Sequence, residues 1–335
     1  MKQNENVMTR TNYNGIDLMK FLGAIMVFII HISPFGENAV GVRRCINFLL
    51  QQYLCRLAVP FYFAASGFFL FQKMSPGEIR QESIREYCFK ILKLLGIWHI
   101  LLTADINGHL WYLGATVVAV LMLSFCFKRR IPLGWIYAIA GVLYAVGLLG
   151  DLYYGLLEPL MGIRLVRYLV KGYERFFVTT RNGAFMGFLF VLMGANFALK
   201  RITVKPVTAL AGLTVSMICM LVEIILLHNN HIPKGYNMGI FLVPATFFLF
   251  ALVSAVRLKD SPIYRHLRNM GVIIYFSHLL VNKCVLLAMS FLQQALGPSV
   301  WQYSFAASLL CVVAFAAAVE WLSTSRLKCL RWLYT

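Results

Sequence analysis

Apolar residues fill long stretches of the chain, and polar residues gather in the short gaps between them. Runs near the ~20 residues that cross a bilayer as a helix fall at about 16–35, 52–72, 89–104, 110–127, 133–150, 183–199, 207–228, 238–257, 271–292 and 299–323. The pattern predicts an all-α polytopic membrane protein with ten transmembrane helices. The third run is the weakest, because Lys90, Lys93, Gly96 and His99 dilute it. No internal repeat is visible, so the repeat architecture of many transporters gains no support. The first run is followed at once by others and carries no convincing cleavage site, which predicts a retained signal anchor.

Composition agrees. Of the 335 residues, 60% are hydrophobic and 13% charged, about half the charged fraction of a soluble domain, and the mean hydropathy is +0.73. No segment between runs is long enough to fold alone, so residues 1–335 are expected to form one membrane domain. The net charge of +18 does not point to nucleic acid, because its distribution follows the membrane. With the N-terminus inside, the inner segments hold Lys73, Arg80, Arg85, Lys90 and Lys93, then Lys128, Arg129 and Arg130, then Lys200, Arg201 and Lys205, then Arg257, Lys259, Arg265 and Arg268, and finally Arg326, Lys328 and Arg331. Two outer loops carry no Lys or Arg. This positive-inside bias places both termini in the cytoplasm. The eight cysteines are scattered and show no metal-ligand spacing, so no metal is expected.

The long outer segment, about 151–182, contains "GIRLVRYLVKGYERFF", with charges at 164, 167, 171 and 175 and apolar residues between. That helical spacing predicts an interfacial amphipathic helix. It either lies on the outer surface or walls an acceptor site.

Polar residues inside the runs carry the candidate chemistry. "DLMKFLGAIMVFIIH" (17–31) begins with Asp17 and Lys20 and ends on His31. Eleven helical residues span about three turns, so Lys20 and His31 share a stripe ~16 Å apart, and Asp17 is within reach of Lys20. One reading makes them independent interfacial anchors; the other makes this helix the lining of a passage. Toward the outer face the topology puts His31, Arg56, His109, Tyr112, Arg181, Asn182 and Glu223; toward the inner face, Asp17, Lys20, Ser66, His278 and Glu320. His31 suits a general base, Glu223 its orienting carboxylate and Arg56 an oxyanion partner. An Arg56–Glu223 clamp without chemistry is the alternative. Ser66, in "AASGFF", has no nucleophile signature around it and reads as close helix packing.

These residues fall in a familiar order. "NGIDLMKFLGAIMV" with Lys20 and His31 forms an R/K-x10-H pattern and resembles the opening of the membrane acyltransferase 3 family. "CRLAVPFYFAASGFFLF", "HLWYLGA" and "NMGVIIYFSHLLV" are similar to three later motifs of that family, and Glu320 falls where a glutamate often ends its last span. Within the family the chain looks most like the membrane domain of membrane-bound serine racemases and their stand-alone relatives. The resemblance implies a bacterial cytoplasmic-membrane enzyme that moves an acyl group, usually acetyl, from cytoplasmic acyl-CoA to a hydroxyl of a cell-envelope glycan or small molecule. His31, Glu223 and Arg56 would then be catalytic. Lys20, Asp17, Glu320 and His278 would serve the CoA donor, and His109, Tyr112, Arg181 and Asn182 the acceptor. The racemase relation supports an alternative, an amino-acid transport or sensing domain for a serine-like solute.

Overall fold

The computed structural model describes residues 13–72, 74, 80–102, 108–177 and 179–335; the expected inner-loop Lys73 lies outside them. The described residues are helical with no strands. The α-helices are α1 (Asn14–His31), α2 (Gly41–Phe48), α3 (Ala58–Phe71), α4 (Gln81–Leu101), α5 (Trp111–Lys128), α6 (Leu133–Leu149), α7 (Arg164–Phe177), α8 (Phe188–Leu199), α9 (Pro206–Asn229), α10 (Leu242–Ala255), α11 (Ile263–Leu296) and α12 (Ser304–Ser325).

Among the described residues each expected apolar run is occupied largely by helix, with 103 and 104 of the third run outside them, but the helices differ in their fitness to span. Six helical stretches are long and apolar enough by length and composition: 14–31, 41–71, 108–128, 206–229, 263–296 and 298–325. Three shorter apolar stretches, at 133–149, 183–199 and 242–255, accompany them. α4 is not among these, since Glu82, Arg85, Glu86, Lys90 and Lys93 lie along it. The amphipathic helix expected in 151–182 is α7.

Two irregular turns aim polar side chains. Between α2 and α3 the chain passes through a π turn at Leu49–Tyr53 and a 3-10 turn at Leu54–Leu57. Pro60 has no N–H to give the Arg56 carbonyl, so the regular ladder cannot run back through this point, and the break re-aims Gln52 and Arg56. A second π turn, Gly183–Gly187, leads into α8 and is capped by Asn182, whose Oδ1 accepts from the Ala184 and Phe185 amides, both at 3.0 Å.

The bundle is tightened where glycines let backbones meet. A Cβ on Gly67 of α3 would strike the Val191 carbonyl of α8, and one on Gly194 would strike the Ala64 carbonyl. This is the small-residue contact expected of helices in lipid, where apolar burial gives little drive to associate. The close-packing role expected of Ser66 thus belongs to its neighbour Gly67. α1 packs on α11, with Gly271 against Phe21. All eight cysteines are free thiols.

Candidate functional site

Three histidines meet at one end of the bundle. The ring of His31, at the end of α1, lies 5.1 Å from that of His278 and 6.1 Å from that of His109. His109 and His278 are 4.8 Å apart, edge to face. His278 was expected at the opposite, inner end; the structure corrects this. The apolar run begins near 271, but α11 begins at Ile263, fifteen residues before His278. That puts His278 ~22 Å along its helix, close to the ~25 Å of His31 along α1.

The backbone fixes each ring. His31 Nδ1 donates to the Val27 carbonyl at 2.9 Å, and His278 Nδ1 donates to the Tyr275 carbonyl at 2.8 Å. A carbonyl oxygen only accepts, so the proton sits on Nδ1 and leaves Nε2 as the lone-pair nitrogen. His31 is exposed, whereas His278 is fully buried and its Nε2 has no hydrogen-bond partner among the described residues. Among the described residues no set of three His, Cys, Asp or Glu side chains is arranged to hold a metal ion, these rings included.

Glu223 does not orient His31. Its Oε1 accepts from the Tyr153 hydroxyl at 2.6 Å and the Ile240 amide at 2.7 Å, and Oε2 accepts from the Phe241 amide at 3.2 Å. It caps the start of α10, accepting from amides that have no partner within the helix. The Val27 carbonyl holds the ring instead. Nor is there an Arg56–Glu223 clamp. Arg56 Nη1 donates to Asn237 Oδ1 at 2.6 Å, and Nη2 donates to Gln52 Oε1. Arg181 reaches the same Asn237 oxygen at 3.4 Å and lies over the Trp111 ring at 4.9 Å. Both guanidiniums are electrostatic neighbours of His31, Arg181 the stronger.

The acidic member of this cluster is Asp151. Its Oδ2 accepts from the Asn237 and Met238 amides, each at 2.7 Å, and its Oδ1 from Asn237 Nδ2 at 3.1 Å. Burial pushes the Asp151 carboxyl up from its ordinary value, against the pull of Asn237 and Arg56. Burial likewise pulls Arg181 down. Asn182, expected to meet substrate, spends its side chain on capping and on the Thr179 carbonyl at 2.9 Å.

A file of aromatic polar side chains leads from the histidines to the far end of α1. Tyr275 donates to the His109 carbonyl at 2.7 Å. Its ring lies 5.9 Å from Tyr112 and 6.5 Å from Tyr62. Ser66 and Tyr112 share a hydrogen bond of 3.2 Å, and Tyr62 donates to the Lys20 carbonyl at 2.5 Å. Lys20 Nζ sits 4.0 Å above the Phe69 ring. Around it gather the electrostatic neighbours Asp17, Arg268 and Lys90, with Arg268 paired to Asp17 at 3.3 Å. Glu320 lies apart from Lys20 on α12, accepting from His266 at 2.7 Å and Asn269 at 3.4 Å.

Sequence reasoning missed Asp151, Asn237, Tyr62, Tyr275, Lys90 and Arg268 as members of these clusters. Asp151 had a signal: a carboxylate directly after an apolar run, in a chain with only 13 Asp and Glu. Asn237 had none.

Residues 13–104 match the family described as an acyltransferase domain. Over 302 residues the chain is 28% identical to a serine/alanine racemase of Enterococcus gallinarum, covering 79% of this chain and 40% of the relative. Over 275 residues it is 26% identical to an amino-acid racemase of Enterococcus faecalis, covering 74% of this chain and 37% of the relative. The chain thus spans about two fifths of the length of these curated relatives. No solved structure matches. Both sides of the resemblance read from the sequence, to the acyltransferase family and to racemase relatives, are present.

Proposed function

We propose that this chain is a multi-pass membrane acyltransferase that moves an acyl group, acetyl in the simplest case, from a cytoplasmic acyl-CoA to a hydroxyl acceptor at the opposite face. The acyltransferase-domain match over 13–104 sets the reaction class. The observation that carries the mechanism is His31 itself. It is exposed, its Nδ1 is held by the Val27 carbonyl at 2.9 Å, and its Nε2 is left as the base.

The chemistry follows from that tautomer. An acceptor hydroxyl gives its proton to His31 Nε2 as its oxygen attacks the thioester carbonyl carbon. The C–O bond forms, the C–S bond breaks, and the CoA sulfur takes the proton back from Nε2. Arg181 and Arg56, both electrostatic neighbours of His31, are the charges available to the oxyanion that develops. His278 positions the His31 ring from α11 and does not itself touch substrate. At the other end Lys20, Lys90 and Arg268 form a basic cluster suited to the CoA phosphates. The ~16 Å between Lys20 and His31 is comparable to a pantetheine arm, and the tyrosine file lies along it.

In this reading ten helices cross the cytoplasmic membrane of a bacterium, both termini are cytoplasmic, and α7 is outside. Reagent labelling of a cysteine at Leu160, in a chain stripped of its native cysteines, tests the orientation; modification only from the cytoplasmic face would reverse it.

A second reading is favoured by the names of the relatives, an amino-acid racemase and a serine/alanine racemase: a membrane domain that carries or senses a serine-like solute. The experiment that separates the two is hydrolysis and transfer from acetyl-CoA by the purified chain. His31→Ala should lose ~10²–10⁴-fold in rate, the scale of a general base, while inserting normally. Turnover by His31→Ala at the wild-type rate sinks the enzymatic role. Serine counterflow in vesicles without thioester turnover favours the second reading.

A further inference from the structure

A cavity of about 600 Å³ opens between the end of α6 and α7, beside the turn before α8. Val146 and Leu149 of α6 form one wall, and Val166, Leu169 and Val170 of α7 form another. Together with Tyr173 these α7 positions repeat at the spacing of a single helix face. The charges at Arg164, Arg167, Lys171 and Arg175 lie on the opposite face. Val146, Leu149 and Leu169 remain exposed, so the apolar wall opens sideways rather than closing over a core.

One end of this cavity is polar, lined by Asp151, Arg181 and Asn237. Asp151 has given its oxygens to amide donors and makes no direct ion pair with Arg181. Arg181 Nε is buried without a hydrogen-bond partner among the described residues, and so is Nε of Arg56, which backs the same end through Asn237. Two guanidiniums therefore face a single carboxylate already engaged by amides. At the rim the other opposite charges cancel, with Lys234 on Glu174 at 2.7 Å. An apolar trough with an uncompensated cationic end suits neither a free amino acid, too small and too polar for the trough, nor a neutral glycan.

We infer that this cavity binds an anionic amphiphile: an oxyanion head, phosphate or carboxylate, on Arg181, and one apolar chain along the inner face of α7. Arg181 lies over the ring of Trp111, two residues after His109, at 4.9 Å, so the head lies on the histidine side of the cavity. Its role as the acceptor site rests on the acyl-transfer reading; the binding does not. The acceptor is then a lipid or lipid-linked hydroxyl compound reached from the bilayer.

Native mass spectrometry of the full chain in neutral detergent tests this, with 1-palmitoyl lysophosphatidate, palmitate, monopalmitoylglycerol and inorganic phosphate as separate probes. Retention of lysophosphatidate, but not of monopalmitoylglycerol or phosphate alone, is expected. Retention of palmitate as well means that a carboxylate head suffices; its loss narrows the head to phosphate. Arg181→Gln should weaken retention about tenfold, the scale of one charge-assisted hydrogen bond. Val170→Trp, which fills the trough, and Leu169→Gln should weaken it too, while Lys171→Gln on the outer face should not. Equal retention of monopalmitoylglycerol, or wild-type retention by both Arg181→Gln and Val170→Trp, overturns the inference. Because no acyl-CoA is present, failure of thioester turnover leaves the binding result standing, and the reverse holds as well.

Discussion

His31 and His278 face each other across the crossing of α1 and α11, rings 5.1 Å apart, each pinned by a carbonyl of its own helix. The pinning sets both tautomers, so neither ring turns without giving up a hydrogen bond. His278→Phe keeps the ring's bulk and removes a buried Nε2 that has no partner among the described residues. Stability should fall only modestly, since loss of the Nδ1 hydrogen bond to the Tyr275 carbonyl is offset by removal of the unpartnered Nε2. Acyl transfer should fall toward ~10²-fold, the cost of misplacing a reacting group, and the pH–rate profile should move with it. A thermally intact His278→Phe with wild-type rate and profile would reduce His278 to packing.

Lys20 is expected to act on the donor. Its Nζ stands over Phe69 at the end of α1 remote from His31, with Lys90 and Arg268 nearby. Calorimetry should show CoA binding weakened about tenfold or more in Lys20→Met and partly kept in Lys20→Arg. Identical affinity for Lys20→Met would leave the lysine as an interfacial anchor.

Glu223 is expected to matter for folding and not for turnover. Glu223→Ala strands the Ile240 and Phe241 amides and the Tyr153 hydroxyl, at roughly 1–3 kcal/mol for each donor left buried. The fall in Tm should be plain, with the folded fraction still hydrolysing acetyl-CoA at the wild-type rate. Lost turnover at an unchanged Tm would restore Glu223 as the partner of His31.

Asp151 ties stability to pH. Burial holds its folded pKa above the ordinary carboxylate value, so the fold binds this proton more tightly than the unfolded chain does. The contribution is therefore fully present below about pH 4 and is lost as pH rises through the folded value. The difference in Tm between wild type and Asp151→Asn should shift against the wild type on going from acidic to neutral pH. A flat difference contradicts this.

The helical segments were legible because apolar runs of fixed length leave few alternatives. α7 was legible because its charges and apolar residues alternate at 3.6-residue spacing. What failed was depth. His278 was assigned to the wrong end because polar residues such as Tyr264, His266 and Arg268 hide the first two turns of α11 from an apolar-run count, although the helix includes them. Glu223 was given a role it does not have, and Asp151 was given none, because pairing across loops has no local signature. Both carboxylates bind backbone amides near 237–241, and although the place of Asp151 after an apolar run marks it, neither position names its partners. Arg56 and Arg181 lie at the His31 end of the bundle, but their common partner Asn237 was not foreseen.

The Gly67–Gly194 crossing bears on how this bundle can move. Where carbonyls of one helix fill the space of a missing side chain on another, there are no rotamers to readjust, and sliding by a fraction of a turn brings a Cβ into collision. α3 and α8 are therefore welded into one rigid body, and that body carries Tyr62, Ser66 and Phe69 with it. A carrier that alternates between faces must move its other helices around this pair, whereas a transferase can work with every helix still. Spin labels across α3 and α8 should keep one distance throughout turnover, and the mobility of the other helices then becomes the measure that separates carriage from transfer.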